Sequence, residues 1–273
     1  QQALRHLADP TAERLLPVAP EPVPVPPLAR AALALAKLGR LLPALVAAPR
    51  LALPEGLLEV PAADIIAYPE TAATTLAAVA EARVPLEGSA ETRIVAFRPA
   101  DGGIEHLAIL VGEPEALAAR GGAPLARVHS ECFTGDLLGS LRCDCGPQLR
   151  GAIARMATEG SGVLLYLAQE GRGIGLVNKL RAYALQDGGL DTLDANRALG
   201  YGADERNFLV AAEMLRALHI PRVRLLTNNP EKIAGLAACG IEVVGRVRHA
   251  FVANGVNDGY LETKALRFGH LLK

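Results

Sequence analysis

The alternation of strand-like and helix-like segments after residue 92 is the feature that most limits how this chain can fold. Residues 93–98 and 105–111 have strand patterns. Asp-Gly-Gly at 101–103 between them is a sequence that strongly favours a hairpin turn. The pattern then predicts strands at 124–131, 162–167, 223–226 and 241–244, and helices at 148–159, 174–186, 207–218 and 231–238. This order predicts an α/β fold with a mixed sheet that is covered by helices and antiparallel at its N-terminal edge.

The N-terminal third has a different character. Residues 17–27 contain six prolines, which favour an extended arm or linker over residues 1–27. A helix is predicted over 28–38, closed by Gly39, and further short helices over 62–68 and 72–82. No cluster of polar residues stands out here, so we expect a small, mostly helical N-terminal appendage. The chain begins at Gln1 and not at Met, as a fragment or a trimmed product would.

Composition excludes some classes of partner. The net charge of −1 provides no overall field that would attract nucleic acid or anionic lipid, so any anionic ligand must be held by local arginines. The most hydrophobic window, residues 28–53, is interrupted by Arg30, Lys37, Arg40, Arg50, Pro43 and Pro49. With neither a membrane span nor a secretory signal pattern, we expect a cytoplasmic protein.

Three of the four cysteines are clustered. Cys132, Cys143 and Cys145 lie within fourteen residues, which favours a metal site over a disulfide framework. Three thiolates hold Zn²⁺ at about 2.3 Å each and leave a fourth tetrahedral position for water, the pattern of a catalytic zinc site. The alternative is a group of unrelated buried thiols. Cys239 is predicted to be a small apolar residue at the end of a helix.

A zinc-dependent base deaminase is a weaker interpretation. Those enzymes carry H-x-E followed by P-C-x-x-C, and only His-Ser-Glu at 129–131 fits, because the second half here is Cys-Asp-Cys at 143–145. His129, Glu131 and Asp144 are the local candidates for acid or base chemistry, and the sequence does not choose among them.

Three turns have the composition of anion sites. They are EGRGIG at 170–175, GADERNF at 202–208 and LTNNPEK at 226–232. The first matches neither a P-loop nor a Rossmann motif, but its Arg172 suits a phosphate. Asp204 in the second could cap the next helix or act in catalysis. If all three turns follow strands, they converge on one crevice that suits a nucleoside triphosphate.

These residues carry a family resemblance. The stretches are RVHSECFTGD at 127–136, SLRCDCG at 140–146, QEGRGIGL at 169–176, KLRAYALQD at 179–187, LLTNNPEK at 225–232, YLETKA at 260–265 and GHLL at 269–272. Residues 83–273 resemble GTP cyclohydrolase II. The resemblance implies a homodimer that hydrolyses GTP to formate, pyrophosphate and a diaminopyrimidine ribosyl phosphate, the first step of riboflavin biosynthesis.

The same resemblance implies the site. Cys132, Cys143 and Cys145 are implied to bind Zn²⁺, and Mg²⁺ is implied to bind together with the triphosphate. The positions implied to contact GTP are Arg127, Val128, His129, Ser130, Glu131, Gln148, Glu170, Gly171, Arg172, Thr192, Thr227 and Lys232. Asp204 is implied as proton acceptor, Arg206 as nucleophile for the α-phosphate and Tyr183 as a catalytic tyrosine. Because a guanidinium stays protonated, charge stabilisation is an equal role for Arg206, and packing in the core is the alternative for Tyr183.

Residues 28–82 resemble the end of 3,4-dihydroxy-2-butanone 4-phosphate synthase. That domain's acidic metal-binding stretches are missing, so we expect a truncated helical remnant without synthase activity. Two alternatives to GTP hydrolysis share the scaffold, namely a cyclohydrolase-like enzyme of pyrimidine catabolism and a non-catalytic nucleotide-binding regulator.

Overall fold

A computed structural model describes residues 2–12, 21–47 and 56–271. Residues 17–20 of the proline-rich segment, together with Pro49, Arg50 and Leu272, lie outside the described residues. The chain forms two compact units. The first comprises residues 1–69 and 172–205, and the second comprises residues 70–171 and 206–273.

The second unit contains a seven-stranded sheet in the order β1-β2-β3-β5-β4-β6-β7. The first four strands in this order pair antiparallel, and the last four pair parallel. The mixed sheet with an antiparallel N-terminal edge is therefore confirmed. The strands are β1 Ala77–Arg83, β2 Thr92–Arg98, β3 His106–Gly112, β4 Leu125–Ser130, β5 Ser161–Leu167, β6 Arg222–Leu226 and β7 Glu242–Val247.

Ten helices are found among the described residues. They are α1 Gln2–Ala8, α2 Ala29–Leu38, α3 Ala62–Thr74, α4 Pro114–Ala119, α5 Cys145–Glu159, α6 Leu176–Asp187, α7 Thr192–Ala198, α8 Phe208–Ala217, α9 Pro230–Ala238 and α10 Asp258–Phe268. The predicted helices at 28–38, 148–159, 174–186, 207–218 and 231–238 are confirmed to within three residues at either end. None of the helices in the described ranges combines the length and the apolar character that a membrane crossing needs.

The core of the second unit lies on both faces of the sheet. Along β5, Val163, Leu165 and Leu167 belong to one buried cluster, whereas Leu164 belongs to another. This alternation follows from the two-residue period of a strand. Met214 of α8 packs in the first cluster. The sheet is thus covered by helices on both faces, as an α/β fold requires.

Residues 72–82 were predicted to form a helix, and this prediction is wrong. α3 continues through Pro69 and ends at Thr74, and β1 begins at Ala77. Alanine-rich sequence favours a helix locally, but β1 gains an antiparallel ladder with β2 that includes Ala82 opposite Ile94. The domain bounds 1–27, 28–82 and 83–273 stay predictions.

The first unit is helical, with a small core of its own. Ile174, Ala182, Ala195, Leu199 and Tyr201 form its buried cluster, to which α6 and α7 contribute. The predicted end of α2 is confirmed, because Gly39 follows its last residue and donates its N–H to the carbonyl of Leu35 at 3.1 Å.

Two of the three predicted anion turns follow strands. The turn Glu170–Gly173 comes after β5, and residues 227–229 come after β6. Because β5, β4 and β6 are parallel neighbours, their carboxyl ends share one edge of the sheet. Residues 202–207 instead follow α7, so the expectation that this turn ends a strand is wrong.

Candidate active site

Three cysteine sulfurs meet at the carboxyl end of β4. Cys132 follows that strand, while Cys143 and Cys145 stand at the beginning of α5. Their Sγ atoms all lie within 4.8 Å of one another, and those of Cys132 and Cys143 are 3.8 Å apart. Tetrahedral zinc with bonds of about 2.3 Å places its sulfurs about 3.8 Å apart. The spacing fits a shared zinc ion.

Gly135 forms one wall of the sulfur cluster. A Cβ at this position would lie 2.7 Å from Cys143 Sγ and 3.0 Å from Cys132 Sγ. The Gly135 N–H donates to Cys132 Sγ at 3.3 Å, which favours a thiolate there. Only glycine allows the backbone to approach the sulfurs this closely.

Two of the three thiols hold their protons more tightly than usual when no cation is nearby. Hydrogen bonding to Cys132 raises the pKa of Cys143 to about 11. The neighbouring sulfurs of Cys132 and Cys143, and then burial, raise the pKa of Cys145 well above its usual value. Three clustered thiolates repel one another, and a divalent cation relieves that repulsion. The donor set therefore fits zinc.

A series of buried polar side chains connects the cysteine loop, residues 131–144 between β4 and α5, with the sheet. Asp144, between two of the cysteines, accepts from Lys264 Nζ at 2.6 Å and from Gln148 Nε2. Gln148 Oε1 accepts from Arg127, whose other guanidinium nitrogen donates to the carbonyl of Leu226 at 2.9 Å. These hydrogen bonds fix the beginning of α5 against β4 and β6.

Arg127 is a buried cation at the edge of the sulfur cluster. Its residue is 6% exposed, and its Nε has no hydrogen-bond partner within the described parts of the chain. Burial lowers its pKa to about 10, so the guanidinium stays charged at neutral pH. A buried charge with a spare donor suits an anionic or carbonyl group of a ligand.

His129 belongs to a second buried group. Its Nε2 lies 3.1 Å from both carboxylate oxygens of Asp136, which also accepts from Tyr166 Oη and from the Cys132 N–H, each at 3.0 Å. Burial lowers the pKa of His129 although Asp136 opposes this. The ring is therefore neutral at pH 7, with its Nε2–H donated to Asp136.

The turn after β5 is tied to the cysteine loop. Glu170 is 3% exposed, and its carboxylate accepts from the N–H groups of Phe133 at 2.6 Å and Gly171 at 3.0 Å. Gly171 and Arg172 both have positive φ, 63° and 65°. Positive φ is uncommon for arginine, and residues in this backbone conformation cluster at active sites and ligand-binding sites.

The turn after β6 brings a second cation to the same edge. Lys232 is buried and donates from Nζ to the carbonyl of Val128 at 2.7 Å. Asn229 caps α9 by accepting from Glu231 N, and Thr227 Oγ1 accepts from Asn229 N at 3.0 Å. Ser130 and Glu131, at the end of β4, are half-buried.

The other predicted residues lie partly in the first unit. Tyr183 on α6 is half-buried, outside that unit's core cluster, with Lys179 Nζ 5.7 Å from its ring centroid. Thr192 is the first residue of α7. Asp204 does not cap α8, because Asn207 occupies that position.

The second unit therefore brings one group of the predicted residues to its sheet edge. These are Cys132, Cys143, Cys145, Arg127, Val128, His129, Ser130, Glu131, Gln148, Glu170, Gly171, Thr227 and Lys232. Arg206 also belongs to this unit, with its Cζ 5.6 Å from the ring centroid of Phe208. Arg172, Tyr183, Thr192 and Asp204 belong to the first unit.

Comparison with known proteins decides the family. The model of GTP cyclohydrolase II matches residues 77–248, more than half of the chain. The chain belongs to the GTP cyclohydrolase II family. The predicted enzyme class is thereby confirmed, and the deaminase interpretation is not needed.

Individual members of the GTP cyclohydrolase II family are similar at high identity. A GTP cyclohydrolase-2 of Azospirillum brasilense is 63% identical over 250 residues, 88% of this chain and 64% of its own length. One from Actinobacillus succinogenes is 52% identical over 194 residues, 71% of this chain and 87% of its own. One from Klebsiella pneumoniae is 51% identical over 195 residues, 71% of this chain and 94% of its own. The chain thus spans less than two thirds of the Azospirillum protein.

Sequence reasoning missed several residues of this site in the GTP cyclohydrolase II family member. Gly135 and Asp136 lie within the stretch that carried the resemblance, but no pattern distinguishes a glycine that contacts sulfur from one in a turn. Tyr166 lies within the apolar strand pattern of residues 162–167, which indicates a packing role only. Lys264 and His249 are far from the cysteines in the sequence, and only the fold shows that they contact residues 144 and 148.

Proposed function

We propose that this chain is a zinc-dependent GTP cyclohydrolase II. It would hydrolyse GTP to formate, pyrophosphate and 2,5-diamino-6-hydroxy-4-(5-phosphoribosylamino)pyrimidine, the first step of riboflavin biosynthesis. The observation that carries the proposal is the cluster of Cys132, Cys143 and Cys145 beside the buried Arg127, in a chain of this family.

The three cysteines would hold the zinc ion. When bound, zinc would supply Lewis acidity at this position, the chemistry that activates water for hydrolysis. The chain's own contribution is to hold the sulfurs at a fixed spacing, with Gly135 leaving them room. We propose that Mg²⁺ enters with the triphosphate.

The cations at the sheet edge would orient the nucleotide. Arg127 has a spare donor in a buried place, and Lys232 is fixed on the carbonyl of Val128. Because both are held by backbone carbonyls, a bound anion would meet charges that need no rearrangement. The other proposed contacts to GTP are His129, Ser130, Glu131, Gln148, Glu170, Gly171, Arg172, Thr192 and Thr227.

Proton and charge handling would fall to three further residues. Asp204 is proposed as the proton acceptor because it occupies the position that the family resemblance implies for that role. Arg206 would stabilise charge on the departing pyrophosphate or attack the α-phosphate, and its permanent protonation favours stabilisation. Tyr183 is half-buried and outside the core cluster, which supports a role at a ligand.

The test is incubation of the zinc-loaded protein with GTP and Mg²⁺, with formate and pyrophosphate measured in the same sample. The proposal predicts both products in equal amounts. Formate without pyrophosphate would indicate different chemistry. Neither product, with bound zinc confirmed, would favour the cyclohydrolase-like or the regulatory alternative. Light scattering of the same sample tests the proposed homodimer.

A further inference from the structure

The N-terminal segment packs within the first unit against α6 and α7. Asn178 on α6 donates from Nδ2 to the carbonyl of Arg40 at 2.9 Å and to Tyr201 Oη at 3.0 Å. The Tyr201 hydroxyl donates to the carbonyl of Leu41, and Leu42 packs against the core cluster of this unit. Residues 40–42 are therefore held by both backbone hydrogen bonds and apolar contact.

One side chain of this segment contacts the loop that carries Asp204, which comprises residues 199–207 between α7 and α8. Lys37 Nζ, on α2, lies 2.6 Å from Glu205 Oε1, and the same oxygen accepts from the Gly202 N–H at 2.6 Å. The Glu205 N–H in turn donates to the carbonyl of Arg172 at 3.1 Å. Glu205 thus closes the loop on itself and ties it to Arg172, while Lys37 neutralises its carboxylate.

The backbone is closely packed near both ends of this loop. A Cβ on Gly173, whose φ is +99°, would lie 2.9 Å from the carbonyl oxygen of Glu205. At the other end, a Cβ on Gly200, whose φ is +80°, would lie 2.7 Å from Pro43 Cγ. The N-terminal segment therefore contacts the loop near its beginning through Pro43 and at Glu205 through Lys37.

We propose that residues 37–43 are a positioning element for the reaction, acting through Lys37 on Glu205 and hence on the loop with Asp204. The catalytic part of this inference rests on the proposed function. The Klebsiella relative is matched over 94% of its length by 195 residues of this chain. A protein of that length has no room for most of the residues that precede the matched family region, which begins at 77. The contact between Lys37 and Glu205 is therefore a property of this chain and not of the shorter Klebsiella relative.

The experiment compares Lys37→Met with the wild type, both as the chain of residues 1–273, by amide hydrogen exchange and by steady-state kinetics. We expect faster exchange at Gly202 and Glu205 and a kcat lower by about two- to fivefold, the range for a half-exposed ion pair. The KM for GTP should change less than kcat, because Arg127, Lys232 and most of the other proposed GTP contacts belong to the other unit. Lys37→Arg should restore both values. Arg30→Met, exposed on the same helix, is the matched control.

Each outcome decides the inference. Unchanged exchange at Gly202 and Glu205 in Lys37→Met would overturn it whether or not the wild type is active. Faster exchange with unchanged kcat in an active wild type would overturn the catalytic role. If the wild type releases no formate, the proposed function fails separately, and faster exchange that Lys37→Arg reverses would still support the positioning of the loop.

Discussion

Lys264 Nζ lies 2.6 Å from Asp144 Oδ1, and both side chains are buried, at 8% and 3% exposed. Asp144 stands between Cys143 and Cys145, whereas Lys264 comes from α10 near the C-terminus. The Tyr260 ring lies against the same ammonium group, 4.4 Å from its centroid. The last helix of the chain is thereby tied to the loop that supplies two of the three sulfurs.

Replacement of Lys264 by methionine should destabilise the protein. It would leave the Asp144 carboxylate buried beside the cysteines without its cation, at a cost of about 3 kcal/mol in the free energy of unfolding. Urea unfolding followed by circular dichroism measures this. Glu262→Gln, exposed on the same helix, is the control and should change stability little. If Asp144→Asn with Lys264→Met is no more stable than Lys264→Met alone, the buried charge is not the cause.

The pH dependence of stability should include a contribution from His249. This ring is buried, with its Nε2 2.7 Å from the Gln148 carbonyl, and burial lowers its pKa to about 4. The unfolded chain, with a histidine pKa of about 6.5, binds the proton more readily than the folded protein does. The stabilisation is thus complete above pH 6.5 and is lost as the pH falls towards 4, by up to about 3 kcal/mol.

The matched variant is His249→Gln, which keeps a donor but does not titrate. The difference in unfolding free energy between wild type and variant should become less favourable to the wild type between pH 6.5 and 4. A difference that stays constant over this interval would show that His249 has the same pKa in both states.

The sequence predicted much of this fold because its strands and helices are strongly patterned. The antiparallel edge followed from Asp-Gly-Gly at 101–103, and the cysteine cluster followed from spacing and the family resemblance. Strand β1 was missed because its alanines favour a helix, and only pairing with β2 overrides that preference. The contact of Lys264 could not be predicted from the sequence, because its partner, Asp144, is 120 residues away.

Gly135→Ala should reduce zinc binding without unfolding the protein. The added methyl group would lie 2.7 Å from Cys143 Sγ and 3.0 Å from Cys132 Sγ, so the sulfurs would have to separate. We expect zinc content by mass spectrometry of metals to fall well below that of the wild type, with the far-ultraviolet circular dichroism unchanged. Gly259→Ala, where nothing lies within 4 Å of the added atom, is the control. A full complement of zinc in Gly135→Ala would contradict the close approach.

The most direct test of the account is formate release from GTP by the wild type, Cys143→Ser and Cys239→Ser, each assayed after zinc loading. Cys239 packs against the apolar core away from the cluster of three sulfurs, so its variant controls for loss of a thiol. The account predicts that Cys143→Ser loses bound zinc and all measurable formate release, while Cys239→Ser keeps both. Formate release by Cys143→Ser at the wild-type rate would contradict a catalytic metal held by these cysteines.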